Sequence, residues 1–369
     1  MAICTLPGKP VLAQEKTGDM TFVDVQTPSG IIRYSYTIST PSCSNAEAIS
    51  PGLPTILFFH PVYCIQATFH SQFSDPRLRR FNLVSVSLRG HIETTKPKVP
   101  PSYNPKDAAD DAARFMDALN LPPCHMYGMA SGTTIALQFA ISYPERVLSL
   151  FLVSQLCLEE IPEVLEGQME VYERWAAAFL DSSTVDMALA REATFGAIEY
   201  AYSNQPSSLA KALAEVTVSN TLIAWNREHL DVCKTMVVDF AGKRKPHSKS
   251  ELSGINCPVT LVYGTNDIAY PAEYTERFVK NLEDAGVDVT LIRVTGAPHF
   301  VCIDYGHVIN PIMHDLVVKL HSKSGSSSVP LPPIVDGAKS PWDTIIKEAG
   351  WEDKEEDFGD ELIIEHKGV

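Results

Sequence analysis

The sequence predicts an α/β protein with a mostly parallel central sheet, helices on both faces and a helical segment inserted after the sixth strand. Three observations carry that expectation. Short apolar runs end abruptly at loop residues, Thr55–Phe59 at His60-Pro61 and Leu83–Val86 at Ser87-Leu88, as strands buried on both faces do. Stretches with apolar residues at helical spacing alternate with these runs, the order that builds parallel sheets. The alternation then stops near Glu159, and only helical patterns follow until Ser250.

In chain order, residues 1–19 read as an N-terminal extension. Thr21–Val25 and Ile31–Tyr36 alternate around Ser29-Gly30, the pattern of a hairpin. After the two buried strands, Asn104-Pro105-Lys106-Asp107 reads as a capped helix start, with helical spacing from Ala108 to Leu119. A strand over 125–128, a helix over 133–143 and a strand from Arg146 to Val153 follow. Met169–Leu180 and Val185–Tyr202 are helical stretches of the inserted segment. Strand signals resume at Val259–Tyr263 and Val287–Ile292, and a last helix runs from Pro311 to His321. Ser322–Pro330 has the Gly/Ser composition of a flexible linker. The acidic tail behind it carries Trp342, Trp351, a short helical stretch from Trp342 to Ala349 and the apolar run Leu362-Ile363-Ile364.

With 369 residues, 45% hydrophobic and 20% charged, the chain has the balance of a soluble globular protein. Its net charge of −15 argues against nucleic acid or an anionic membrane surface as partner. From Lys347 onward nine Asp/Glu face three Lys, so part of that charge belongs to the tail. The N-terminus shows no basic region followed by an apolar core, and no apolar run reaches the length of a membrane span. Eight scattered cysteines without a C-x-x-C pair read as reduced thiols, and the expected location is cytoplasmic.

The chemistry centres on His125-Met126-Tyr127-Gly128-Met129-Ala130-Ser131-Gly132-Thr133. An apolar strand ends at Gly128 and a helix follows, the layout of the nucleophile elbow G-x-S-x-G. The middle position holds Ala130 instead of serine. In the register set by Gly128 and Gly132, Ser131 follows the nucleophile position. Its N–H is expected to face the oxyanion site while its side chain turns elsewhere. Cys64 sits on the wrong loop to replace the nucleophile.

From residue 20 to 321 the chain resembles the α/β-hydrolase superfamily with a helical cap. The loops His60-Pro61-Val62-Tyr63 and Ser87-Leu88-Arg89-Gly90-His91, the elbow, Gly264-Thr265-Asn266-Asp267 with Pro271, and Gly296-Ala297-Pro298-His299-Phe300 carry the resemblance. It implies an α/β-hydrolase core over 20–155 and 255–321, a cap over 156–254, and a linker and tail over 322–369. It also implies catalytic roles for Asp267 and His299, Ala130 at the nucleophile position, and an oxyanion hole built from the Val62 and Ser131 amides. A serine hydroxyl needs a histidine to accept its proton and a carboxylate to fix that histidine's tautomer, so the loss of the hydroxyl alone leaves acid–base chemistry available. Pro61, where the family has Gly, removes one N–H and stiffens the loop.

The expected function is therefore that of an α/β-hydrolase-family enzyme acting on a small or mid-sized apolar ester, lactone or diketone. The alternatives are a non-hydrolytic acid–base enzyme (lyase, isomerase or cyclase) and an inactive binding scaffold like the N-myc-downstream-regulated proteins. The expected partner is a small-molecule substrate. No metal constellation or Gly-rich phosphate loop is evident, and no cofactor is expected. Tyr172, Trp175, Tyr200, Tyr202 and Trp225 are candidate pocket aromatics.

Overall fold

Ten strands form one sheet, in the order β1-β2-β3-β5-β4-β6-β7-β8-β9-β10. They are β1 (Gln14–Thr17), β2 (Met20–Thr27), β3 (Gly30–Ser39), β4 (Thr55–Phe59), β5 (Asn82–Val86), β6 (Cys124–Met129), β7 (Val147–Val153), β8 (Val259–Gly264), β9 (Val289–Val294) and β10 (Ile363–Lys367). The computed structural model describes residues 14–17, 20–91, 99–323, 329–352 and 363–367. Residues 324–328 of the expected linker and 353–362 of the tail lie outside the described residues.

The six strands from β5 to β9 pair in parallel. Antiparallel strands flank them on both sides, the β1–β3 meander at one edge and β10 at the other. Alternation sorts the core residues between the two faces. Leu57, Phe59, Met126, Leu150 and Leu261 join one buried cluster, and Ile56, Phe58, Tyr127, Phe151 and Val262 join the other. Both faces are thus covered, which is why the parallel strands read as continuous apolar runs.

Helix α1 (Pro105–Ala118) begins with a full capping box, Asn104 and Asp107 bonding each other's backbone amides, with Pro105 in the first turn. Helix α2 (Ser131–Ser142) leaves the elbow two residues earlier than its apolar spacing suggests. Between β7 and β8 the described residues contribute no strand. They form helices, chiefly α3 (Pro162–Ala177), α4 (Met187–Ala201) and α5 (Ser208–Ala224). Helix α6 (Ala272–Asp284) follows β8, and α7 (Gly306–Lys323) starts five residues before the expected Pro311. Pro311 lies in the second turn, where its missing N–H forfeits a single bond to the His307 carbonyl.

Two expectations need correction. The helical insertion follows the seventh strand, because Gln14–Thr17 in the supposed N-terminal extension pairs with Met20–Val23 as an extra edge strand. The C-terminal segment is more than a linker and tail. Arg80 donates to the Pro332 carbonyl at 2.6 Å and Arg79 to that of Lys339 at 3.0 Å. The Trp342 ring lies 4.8 Å from Phe73, and Ile346 on α8 (Asp343–Glu348) is fully buried. The chain then closes the sheet with β10, because the free edge of β9 offers unpaired amides and carbonyls that a local reading of the tail cannot anticipate.

Such docking has a measurable consequence. Ile346→Val removes one buried methylene and is expected to cost about 0.5–1.5 kcal/mol in urea unfolding. An unchanged midpoint would mean that the strap is not docked in solution.

Candidate active site

The elbow is built as its glycines require. A Cβ on Gly132 would lie 2.0 Å from the Phe59 carbonyl oxygen, and one on Gly128 would lie 2.7 Å from that of Gly132. Strand β4, strand β6 and helix α2 therefore meet with no room for side chains at either position. Between them Ala130 is held at φ 46° and ψ −116°, a left-handed conformation costly for a residue with a Cβ. The Ala130 amide donates to the Val153 carbonyl at 3.0 Å, and the Ala130 carbonyl accepts the Thr133 amide at 2.9 Å. The turn keeps the geometry that presents a side chain, but the side chain is a methyl group.

His299 and Asp267 arrive on the loops after β9 and β8. Asp267 Oδ1 accepts the amides of Ala269 (2.8 Å) and Tyr270 (2.9 Å), and its Oδ2 lies 2.7 Å from His299 Nδ1. A carboxylate can only accept here, so Nδ1 carries the proton and Nε2 keeps its lone pair. The two side chains are 6% and 2% exposed, so the pair is shielded from water. The Tyr270 ring lies tilted beside the imidazole at 5.0 Å between centroids, and the Ser154 hydroxyl donates to the His299 carbonyl.

Behind the dyad lies a buried support that the sequence reading missed. The Tyr270 hydroxyl donates to Glu160 Oε1 at 3.0 Å, and Glu160 pairs with Arg244 at 2.9 Å, both charged side chains nearly inaccessible. Arg244 also holds the Cys157 and Ala241 carbonyls at 2.8 Å. Two inserted-segment residues are thereby tied to the loop that carries Asp267.

The loop after β4 is fixed by His60. Its Nε2 accepts the Leu88 amide at 3.1 Å, so Nδ1 is the protonated nitrogen and donates to the Pro61 carbonyl at 2.9 Å. Val62 then aims its amide at α2, where the structure departs from expectation. The Val62 N–H donates to the Ser131 hydroxyl at 2.7 Å. The Ser131 side chain does not turn away. It rotates onto the very donor that the sequence assigns to the oxyanion. Cys64 is fully buried, and burial pushes its thiol up to about 12, so it is protonated and unreactive at neutral pH. Arg89 pairs with Asp111 at 3.1 Å beside Tyr34 and Tyr103, away from the cavity.

Burial, reinforced by neighbouring His91, pushes His60 down to about 3. The folded chain keeps it neutral while the unfolded chain binds a proton below the ordinary value near 6.5. Stability should therefore fall as pH drops from about 6.5 toward 3, by about 1.4 kcal/mol per pH unit from this group. Urea unfolding of the native protein and of His60→Gln between pH 7.5 and 5.5 checks this. An equal slope in both would remove His60 as the cause.

Ala130, Ser131, Val62 and His299 all line one cavity of about 410 Å³, shared with Leu156 and Val164. Helices α3 and α4 roof it with Gly167, Val171, Gly196, Ala197 and Tyr200. The charged lining residues are Glu163 and Glu170, with no Lys or Arg among the described ones. Of the candidate aromatics, Tyr200 reaches this cavity, whereas Tyr172, Trp175 and Trp225 line a separate, nearly filled cleft with Tyr63. Tyr202 packs on Phe300 in the core. Among the described residues no cluster of three His, Cys, Asp or Glu could hold a metal ion, and no helix is long and apolar enough to cross a membrane.

A family model described as alpha/beta hydrolase fold matches residues 51–305. The Caulobacter vibrioides protein named "Putative carbamate hydrolase RutD" is 34% identical over 76 residues, which is 21% of this chain and 28% of that protein. An epoxide hydrolase of Caballeronia sordidicola is 24% identical over 139 residues, 38% of this chain and 40% of its own. The chain thus matches well under two thirds of the length of these relatives. Among solved structures, a thermophilic esterase from Thermogutta terrifontis (malate bound) superposes with a TM-score of 0.61 at 18% identity, covering 81% of this chain and 99% of the esterase. That likeness is one of fold.

Proposed function

The chain belongs to the α/β-hydrolase fold family, and we propose that it is a cofactor-independent enzyme of that family which works without a covalent acyl-enzyme. Its substrate is a small or mid-sized apolar carbonyl compound, an ester, lactone or diketone. One observation carries the reading: His299, held by the buried Asp267 at 2.7 Å, lines the cavity while the elbow apex is an alanine. A base is retained, and the group it would activate is absent.

In the hydrolytic form of this chemistry, water stands in for the missing hydroxyl. His299 Nε2 takes a proton from that water as its oxygen bonds the carbonyl carbon, and the carbonyl π pair moves onto oxygen. Asp267 stabilises the imidazolium. The proton then passes to the departing oxygen or carbon as its bond to the carbonyl carbon breaks. The same base can instead remove a proton α to a carbonyl, the step of a lyase or isomerase. Residues 156–254 act as a cap that supplies an apolar roof.

The test is turnover of p-nitrophenyl esters, γ-lactones and β-diketones, with and without a fluorophosphonate probe. Turnover in at least one class, undiminished by the probe and with no mass adduct, is expected. No turnover in any class, or an adduct on Ser131, would overturn the proposal. A second reading, a hydrolase lacking only its hydroxyl, is favoured by the strained elbow conformation kept at Ala130.

A further inference from the structure

The Val62–Ser131 bond leaves a hydroxyl hydrogen to be accounted for. A serine hydroxyl has one hydrogen to give and two lone pairs to receive. Ser131 Oγ receives the Val62 amide at 2.7 Å, and no acceptor for its hydrogen is found among the described residues. The residue is only 4% exposed, yet it lines the cavity together with His299. Its backbone is fixed at the start of α2, where the Thr134 hydroxyl holds the Ser131 carbonyl at 2.6 Å. A hydrogen bond received by a hydroxyl polarises its O–H and strengthens the bond that it donates in turn.

We infer that Ser131 is the catalytic residue that receives the substrate's oxygen, its hydroxyl relaying the Val62 amide outward to a carbonyl oxygen that gains negative charge. This deepens the acid–base reading and rests on it. The donor to the developing oxyanion is then a side chain one atom further into the cavity than a backbone amide would be. It suits a substrate that is not tethered to residue 130. Compounds that develop an enolate or hydrated-carbonyl oxyanion against one strong neutral donor fit this arrangement.

The probe is p-nitrophenolate, an aryl oxyanion, titrated by its visible absorbance into the full-length protein at a pH where the phenol is ionised. The native protein is expected to bind it and shift its spectrum. Ser131→Ala and Ser131→Gly are each expected to weaken binding by about 10- to 100-fold, the worth of one hydrogen bond to a charged oxygen. Ser131→Thr, which keeps the hydroxyl, is expected to retain most of the affinity. Two hydroxyl-free variants guard against one that fails to fold.

Equal or tighter binding by the hydroxyl-free variants would overturn the inference, since that is the result if Ser131 merely covers the Val62 amide. Failure of the native protein to bind phenolate would overturn it too. No turnover enters this measurement, so its outcome is separable from that of the proposed function. A protein that binds phenolate through Ser131 but turns over nothing would sink the reaction and keep the donor. One whose turnover needs His299 but not the Ser131 hydroxyl would do the reverse.

Discussion

His299→Ala is expected to lower kcat on whichever carbonyl substrate the protein turns over by about 10²–10⁴-fold, with little change in KM. Among the described residues the imidazole is the one cavity-lining side chain with a basic nitrogen, and Asp267 takes its Nδ1, which leaves Nε2 as the basic nitrogen. Removing it deletes the proton acceptor while leaving the apolar lining that binds substrate. Asp267→Asn should fall nearly as far by a different route. Oδ1 of Asp267 is committed to two amides, so the amide NH₂ of an asparagine must face His299. Nδ1 would then have to accept, Nε2 would carry the proton, and the base would be turned into an acid. The two variants therefore share a phenotype with unrelated packing consequences. A kcat unchanged in both would leave the cavity without its chemistry and favour a binding scaffold.

What could be read in the sequence was whatever depends on local constraint. Gly128 and Gly132 stand where β4, β6 and α2 touch, so the elbow announces itself in five residues. Asp267 and His299 sit on short loops at strand ends, and the strands are legible because both their faces are apolar. The support behind them was not legible. Glu160 meets Tyr270 across 110 residues and Arg244 across 84, and nothing in the spacing of a buried Glu and Arg sets them apart from surface charges. Strand β10 was hidden for the same reason: its partner is an edge created by the rest of the fold. Ser131 is a third kind of miss. The sequence places it at the start of α2, but a rotamer is decided by which donor is nearby, and the Val62 amide is held there by His60 of its own loop and by Leu88 of the loop after β5.

That rotamer sets the size of the last effect. Ala130→Ser places a hydroxyl at an elbow whose backbone already has the presenting conformation, in the same cavity as His299. The variant is expected to become labelled by a fluorophosphonate and to cleave activated short-chain esters above the native rate. The gain should be limited: if the Val62 and Ser131 amides form the oxyanion site proposed for them, an acyl group bonded to residue 130 would bring its oxygen to the point that Ser131 Oγ now occupies. Losing one oxyanion donor typically costs about 10²–10³ in kcat. Ala130→Ser combined with Ser131→Ala frees the Val62 amide, and it should exceed the single variant by about that factor on p-nitrophenyl acetate. His299→Ala in the double background should abolish the gain. A folded double variant no faster than Ala130→Ser would mean that the Val62 amide cannot serve as an oxyanion donor, and would refute the view that only a hydroxyl and a rotamer separate this site from a serine hydrolase.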